Sequence, residues 1–196
     1  MNFNSILKKL VKSSLKRLSV EAKPKSSAKR VVLRNKTRER DHFSIMQVMN
    51  DARQDVIETN ADDTTQMEYL ATLDSHTCIK CATRDGLRWY VKSKKPVGHT
   101  LEWQAPPIHI GCRCTTYEVT ILSDLIEGGR ASQFGVVSGK MTFGEFLKQR
   151  DIAFQDGVLG KDRANIWRSK QLSLRDLVDE SGRELTLDEL HAKYCQ

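Results

Sequence analysis

Cys78-Ile79-Lys80-Cys81, followed after 27 intervening residues by His109-Ile110-Gly111-Cys112-Arg113-Cys114, is the stretch on which the reading of this chain turns. A Cys-x2-Cys turn lets two thiolates reach one ion, because the chain doubles back within a few residues. A His-x2-Cys turn supplies the opposing pair and closes a tetrahedron at about 2.0–2.3 Å per ligand. Zinc suits this N/S set, being redox-inert and borderline soft. The expected ligands are Cys78, Cys81, His109 and Cys112. The Cys-x-Cys step allows Cys114 to replace His109 or Cys112, and His99 is a sixth candidate. Two alternatives stay open at this point: reduced thiols without a metal, and a disulfide in an oxidised particle. A catalytic zinc needs an open coordination position and a nearby base. Asp74 and Glu102 are the only acids close in sequence, and neither forms H-x-E or H-E-x-x-H, so a hydrolytic site is not expected.

Outward from the cysteines, the patterning predicts an α+β body. Met67, Tyr69, Ala71 and Leu73 alternate as a strand does, and shorter alternating runs recur at Leu87–Val91 and at Tyr117, Val119 and Ile121. Upstream, Ile45, Val48, Met49, Ala52, Val56 and Ile57 fall on one helical face, with Asn60 as a stop. Gly128, Gly129, Gly135 and Gly139 suggest a flexible or ligand-facing loop over 127–140. Downstream, Thr142 with Glu145, Ser173 with Asp176 and Thr186 with Glu189 have the spacing of capping boxes, so short helices should follow each. Phe154 and Trp167 are expected core anchors. The fold class is therefore N-terminal helices, a small antiparallel sheet around a loop-rich zinc site, and short C-terminal helices.

The 196 residues carry 39% hydrophobic and 29% charged side chains, enough for one domain with an appendage. No stretch approaches the roughly 20 apolar residues of a membrane span. The formal charge of +7 is unevenly placed. Residues 1–40 hold 13 Lys and Arg against two acids, whereas residues 41–196 hold 19 against 23. The division expected is thus a basic arm over 1–40 and an acidic body over 41–196. In the arm, Phe3, Ile6, Leu7, Leu10, Val11, Leu15 and Leu18 recur at helical steps, interleaved with Lys8, Lys9, Lys12, Lys16 and Arg17. The interruptions, and the lack of an A-x-A site, argue against a secretory leader. Residues 19–40, with Lys29, Arg30 and Arg34, read as a solvated linker that would be drawn to a polyanion without reading its sequence.

Other chemistries fall away. The chain has no G-x4-G-K-[ST] loop, no G-x-S-x-G elbow and no G-x-G-x-x-G at a strand–helix junction. His76 beside Cys78 lacks an orienting third group. An HNH-like nuclease needs a central Asn, and none lies between Gly98 and Cys114. Five cysteines, four of them between 78 and 114, do not suit a secreted disulfide framework. Cys195 has no visible partner.

Taken in order, the short motifs resemble the MuF-like phage head-morphogenesis (minor head protein) family. They are Leu73-Asp74-Ser75-His76-Thr77-Cys78-Ile79-Lys80-Cys81, Arg84-Asp85-Gly86, Pro96-Val97-Gly98-His99 and Pro106-Pro107-Ile108-His109-Ile110-Gly111-Cys112-Arg113-Cys114. In the tail they are Phe143-Gly144-Glu145-Phe146-Leu147, Phe154-Gln155-Asp156, Val158-Leu159-Gly160-Lys161, Arg163, Trp167 and Leu185-Thr186-Leu187-Asp188-Glu189-Leu190. The resemblance covers roughly residues 42–194; the arm departs from it, since many members carry a longer helical region there. In that family the last position of the C-R-[CS] element is often Ser, which ranks Cys114 below Cys112 as a ligand. The resemblance implies a non-enzymatic virion component, made in the bacterial cytoplasm and placed in the head near the portal. Its partners would be portal, major capsid or scaffold proteins, with packaged DNA met by non-specific electrostatics. A zinc-containing DNA-binding module and an HNH-like nuclease are the competing functions.

Overall fold

A computed structural model of the chain describes residues 27–125 and 128–195. The chain divides into two units, Met1–Glu39 and Arg40–Gln196. Lys8, Lys9, Lys12, Lys16 and Arg17 lie outside the described residues; Lys29, Arg30 and Arg34 lie on the first described helix.

That helix, α1 (Ser27–Asn60), corrects the linker reading over residues 27–40; residues 19–26 lie outside the described residues. Its opening stretch, residues 27–40, is rich in Lys and Arg, contains neither Gly nor Pro, and so favours helix despite its charge. The six apolar residues expected on one face divide between two, Ile57 falling on the buried one. The stripe of Ile45, Val48, Met49 and Val56 points to solvent at 53–63% exposure, whereas Asn50 and Ile57 are buried. Polar joints attach the helix to the body. Asn50 Nδ2 donates to the Cys114 carbonyl (3.2 Å), the Thr115 hydroxyl donates to Asn50 Oδ1 (2.9 Å), and Arg53 donates to the Thr115 hydroxyl.

The sheet is antiparallel in the order β2-β1-β3, with β1 at Gln66–Leu70, β2 at Arg88–Tyr90 and β3 at Thr115–Val119. The two-residue period puts Met67, Tyr69 and Trp89 on the covered face, each fully buried. Register pairs Met67 with both Trp89 and Glu118. Between β1 and β2 lies the one-turn helix α2 (Ile79–Ala82), and after β3 the short α3 (Ile121–Leu125). The glycine-rich stretch is a hairpin of β4 (Gly129–Ser132) and β5 (Gly135–Ser138), not an open loop. Its glycines serve close approach. A Cβ on Gly129 would run into Val136, and one on Gly139 would lie 2.6 Å from the Gly128 carbonyl oxygen.

The last third is helical: α4 (Phe143–Lys148), α5 (Ile152–Leu159), α6 (Lys161–Ser169), a 3-10 turn (Leu174–Leu177) and α7 (Leu187–Tyr194). All three expected capping boxes form, at Thr142, Ser173 and Thr186. Phe143, Phe146, Leu147, Leu177 and Leu190 are fully buried here, with Trp167 at 3% and Phe154 only partly buried. A second apolar cluster contains Ile57, Met67, Tyr69, Trp89, Val91 and Leu101 together with Cys81, Cys112 and Cys114. No helix among the described residues is long and apolar enough to cross a membrane.

Candidate metal centre

The two donor-bearing turns are built alike. Cys78 caps α2, and the Cys81 N–H donates back to the Cys78 carbonyl at 3.1 Å. In the second turn the Cys112 N–H donates to the His109 carbonyl, also at 3.1 Å, and Gly111 between them takes φ +80°. Few side chains tolerate that left-handed turn, which explains glycine there. Each turn therefore places donors three residues apart on one side of the chain.

The turns face one another. His109 Nε2 lies 3.1 Å from Cys78 Sγ and 3.2 Å from Cys81 Sγ, and Cys81 Sγ lies 3.7 Å from Cys112 Sγ. Five donors form two triads that share Cys81: Cys78, Cys81 and His109, and Cys81, Cys112 and Cys114. Within each triad the donor atoms lie within 4.8 Å of one another, so these clusters can hold a metal ion. Bonds of about 2.3 Å to tetrahedral zinc put sulfurs about 3.8 Å apart, the separation that Cys81 and Cys112 already have.

The surroundings prepare the donors. His109 Nδ1 lies 2.8 Å from the Ile110 carbonyl, which can only accept, so Nδ1 carries the proton and Nε2 turns its lone pair to the thiols. Arg113, between Cys112 and Cys114, pairs with both oxygens of Asp74. That ion pair clamps the loop leading to Cys78 against the second turn. Hydrogen bonds from the Cys114 and Cys81 side chains pull the Cys112 thiol down to about 2, and contact with Cys81 draws Cys78 down to about 6. The donating side pays in the opposite direction: Cys81 is raised, chiefly through Cys112, and Cys114 is pushed up to about 12, also chiefly through Cys112. Burial pulls the His109 pKa down, but the Ile110 carbonyl and the charges of Cys78 and Cys112 raise it overall. A cation at the centre would replace the protons that these crowded sulfurs otherwise share.

His99 stands apart. Its Nε2 is 2.9 Å from the Arg88 carbonyl, its Nδ1 accepts from the Leu101 N–H, and its ring meets Trp89 edge-on at 4.7 Å. Burial depresses its pKa. The histidine of the Pro96–His99 motif is a packing residue.

Sequence reasoning missed a second joint, the Asp85–Arg130 ion pair, whose side chains are 0% and 9% exposed. Asp85 also accepts from the Ala71 and Phe143 N–H groups, both at 2.7 Å, and so ties β1, β4 and α4 together. An open cleft of about 910 Å³ beside it is lined by Glu68, Arg88, Tyr117, Arg130 and Lys140. Its polar groups engage each other: Arg88 donates to Glu68 at 2.8 Å and the Tyr117 hydroxyl donates to Glu68 at 2.6 Å.

No family model matches this chain, and neither a curated protein nor a solved structure matches it.

Proposed function

We propose that this chain is a minor structural protein of a tailed-phage head, with a zinc-stapled body that assists head assembly or DNA delivery near the portal. One observation carries the reading: the residues of the resembling motifs are the joints of the body. Cys78, Cys81 and His109 converge, as do Cys81, Cys112 and Cys114; Asp74 holds Arg113; Asp85 holds Arg130; His99 packs on Trp89. Motifs spent on joints suit a component selected for shape and docking.

Zinc fits the donor set because three thiols and one imidazole match its preference for N/S ligands. Cys78, Cys81, His109 and Cys112 would hold it, with Cys114 as the alternate ligand. Bound there, the ion would act as a structural cross-link between segments 78–81 and 109–114, and every other task falls to side chains. His109 would be held in its tautomer by Ile110, and Arg113 would lock the second turn to Asp74. The proposed partners are portal, major capsid or scaffold proteins, and the proposed place is the virion, after synthesis in the host bacterial cytoplasm. The 13 cations of residues 1–40 would meet packaged DNA with steep salt dependence and no base preference.

Co-sedimentation with purified portal or procapsid tests this function. The expected result is association that survives DNase treatment; a protein that never associates with either overturns it. Sequence-specific DNA affinity that survives deletion of residues 1–40 would instead favour the DNA-binding module, and metal-dependent nicking lost on substitution of His99 or His109 would favour the nuclease.

A further inference from the structure

The apolar stripe of α1 faces the wrong way for a helix of a self-contained body. A surface helix normally lays its apolar side on the core. Here the core side carries Asn50 and Ile57 with the polar joints to Thr115 and Cys114, while Ile45, Val48, Met49 and Val56 are 58%, 57%, 53% and 63% exposed. Exposed Ala52 continues the same stripe. The positions 45, 48, 49, 52 and 56 advance by three, one, three and four residues, the spacing of a seam that a second helix covers. A contiguous apolar ridge of this kind marks an interaction surface, unlike scattered exposed residues.

Charge indicates the occupant. Residues 41–60 hold Asp41, Asp51, Asp55 and Glu58 against Arg53 alone. Glu58 is taken by Lys94 at 2.5 Å, and Arg53 is turned to Thr115. Asp51, which also accepts from Gln47 Nε2 at 2.7 Å, and Asp55 are four residues apart, both exposed, and run along one edge of the stripe. Two copies of α1 laid antiparallel would bring these like edges together, which is destabilising. We infer that the outward stripe of α1 is a docking site for an amphipathic helix of another protein, one whose apolar stripe is edged by Lys or Arg. Its apolar side chains would cover Ile45, Val48, Met49, Ala52 and Val56, and its cations would meet Asp51 and Asp55.

The test uses the full chain and two synthetic helical peptides of about 20 residues. Both carry the same leucine stripe; one has lysines along the edge and the other glutamates. Fluorescence anisotropy at low salt should show the lysine peptide binding about tenfold more tightly. Val48→Asp with Val56→Asp should abolish that binding without moving the thermal midpoint, because both side chains already face solvent. Asp51→Lys with Asp55→Lys should reverse the preference to the glutamate peptide. Equal binding of the two peptides, no binding of either, or binding indifferent to Val48 and Val56 overturns the proposal. So does a concentration-dependent dimer of the chain that the Val48/Val56 double variant dissolves.

Discussion

The cysteine-bearing half and the C-terminal helical lobe reach order by different means. In the lobe, Phe143, Phe146, Leu147, Leu177 and Leu190 are fully buried, and α4 and α7 start on complete capping boxes. Its stability comes from apolar burial and satisfied helix ends. In the other half the strands are three to five residues long, and three cysteines occupy places that apolar side chains would otherwise fill. Buried thiols crowded around one imidazole bring little packing of their own. What they offer is a set of donors that a cation completes. One half is held by its core; the other joins a smaller apolar cluster to a donor set that can hold a metal ion.

The largest effect should separate the two at once. Cys81 is the donor common to both triads, so Cys81→Ser should abolish metal binding, whereas Cys114→Ser should leave most of it. Structural zinc contributes on the order of 10 kcal/mol to the fold that holds it. Chelation or Cys81→Ser should therefore melt the sheet side, read as lost protection of β1 and β3 amides in hydrogen exchange, while α6 and α7 stay protected. Next comes the buried pair between the halves: Arg130→Met takes away the cation facing Asp85 and leaves its carboxyl only the Ala71 and Phe143 N–H groups, at a cost of about 3–5 kcal/mol in denaturant unfolding. Phe146→Ala should cost a similar ~3–5 kcal/mol by cavity formation, but with metal content unchanged.

The helix caps give the smaller effects. Thr186→Ala removes the side chain that accepts from the Glu189 N–H and should cost ~1 kcal/mol. Glu189 itself is lowered from 4.5 to about 2, first by Arg183 and then by the Thr186 N–H. A depressed carboxylate stabilises above its unfolded pKa and loses that contribution as pH falls through the folded one. Stability should thus decline between about pH 4.5 and 2, and Glu189→Gln should flatten that part of an acid titration followed by circular dichroism.

The same contrast explains what could be read from sequence. Capping boxes and donor turns are local: Thr142 and Glu145 are three residues apart, as are Cys78 and Cys81, so spacing alone announces them. The mixed α+β class followed from alternation at Met67 and Tyr69 and from the caps downstream. Pairings across long separations left no such signal. Nothing in the chain marks Arg130 as the partner of Asp85, 45 residues earlier. The hairpin at Gly129–Ser138 was hidden because glycines that permit close strands look like glycines that permit loops. Periodicity located the stripe on α1 but not its direction, since a 3.6-residue repeat defines a face without saying what covers it.

Metal content of the full chain, purified without chelators, tests the central claim most directly, with cobalt substitution reporting the ligands. The account predicts about one equivalent of zinc, and a cobalt form whose thiolate charge-transfer bands disappear in Cys81→Ser. Less than about 0.3 equivalents of zinc, with cobalt giving no thiolate bands, would contradict it.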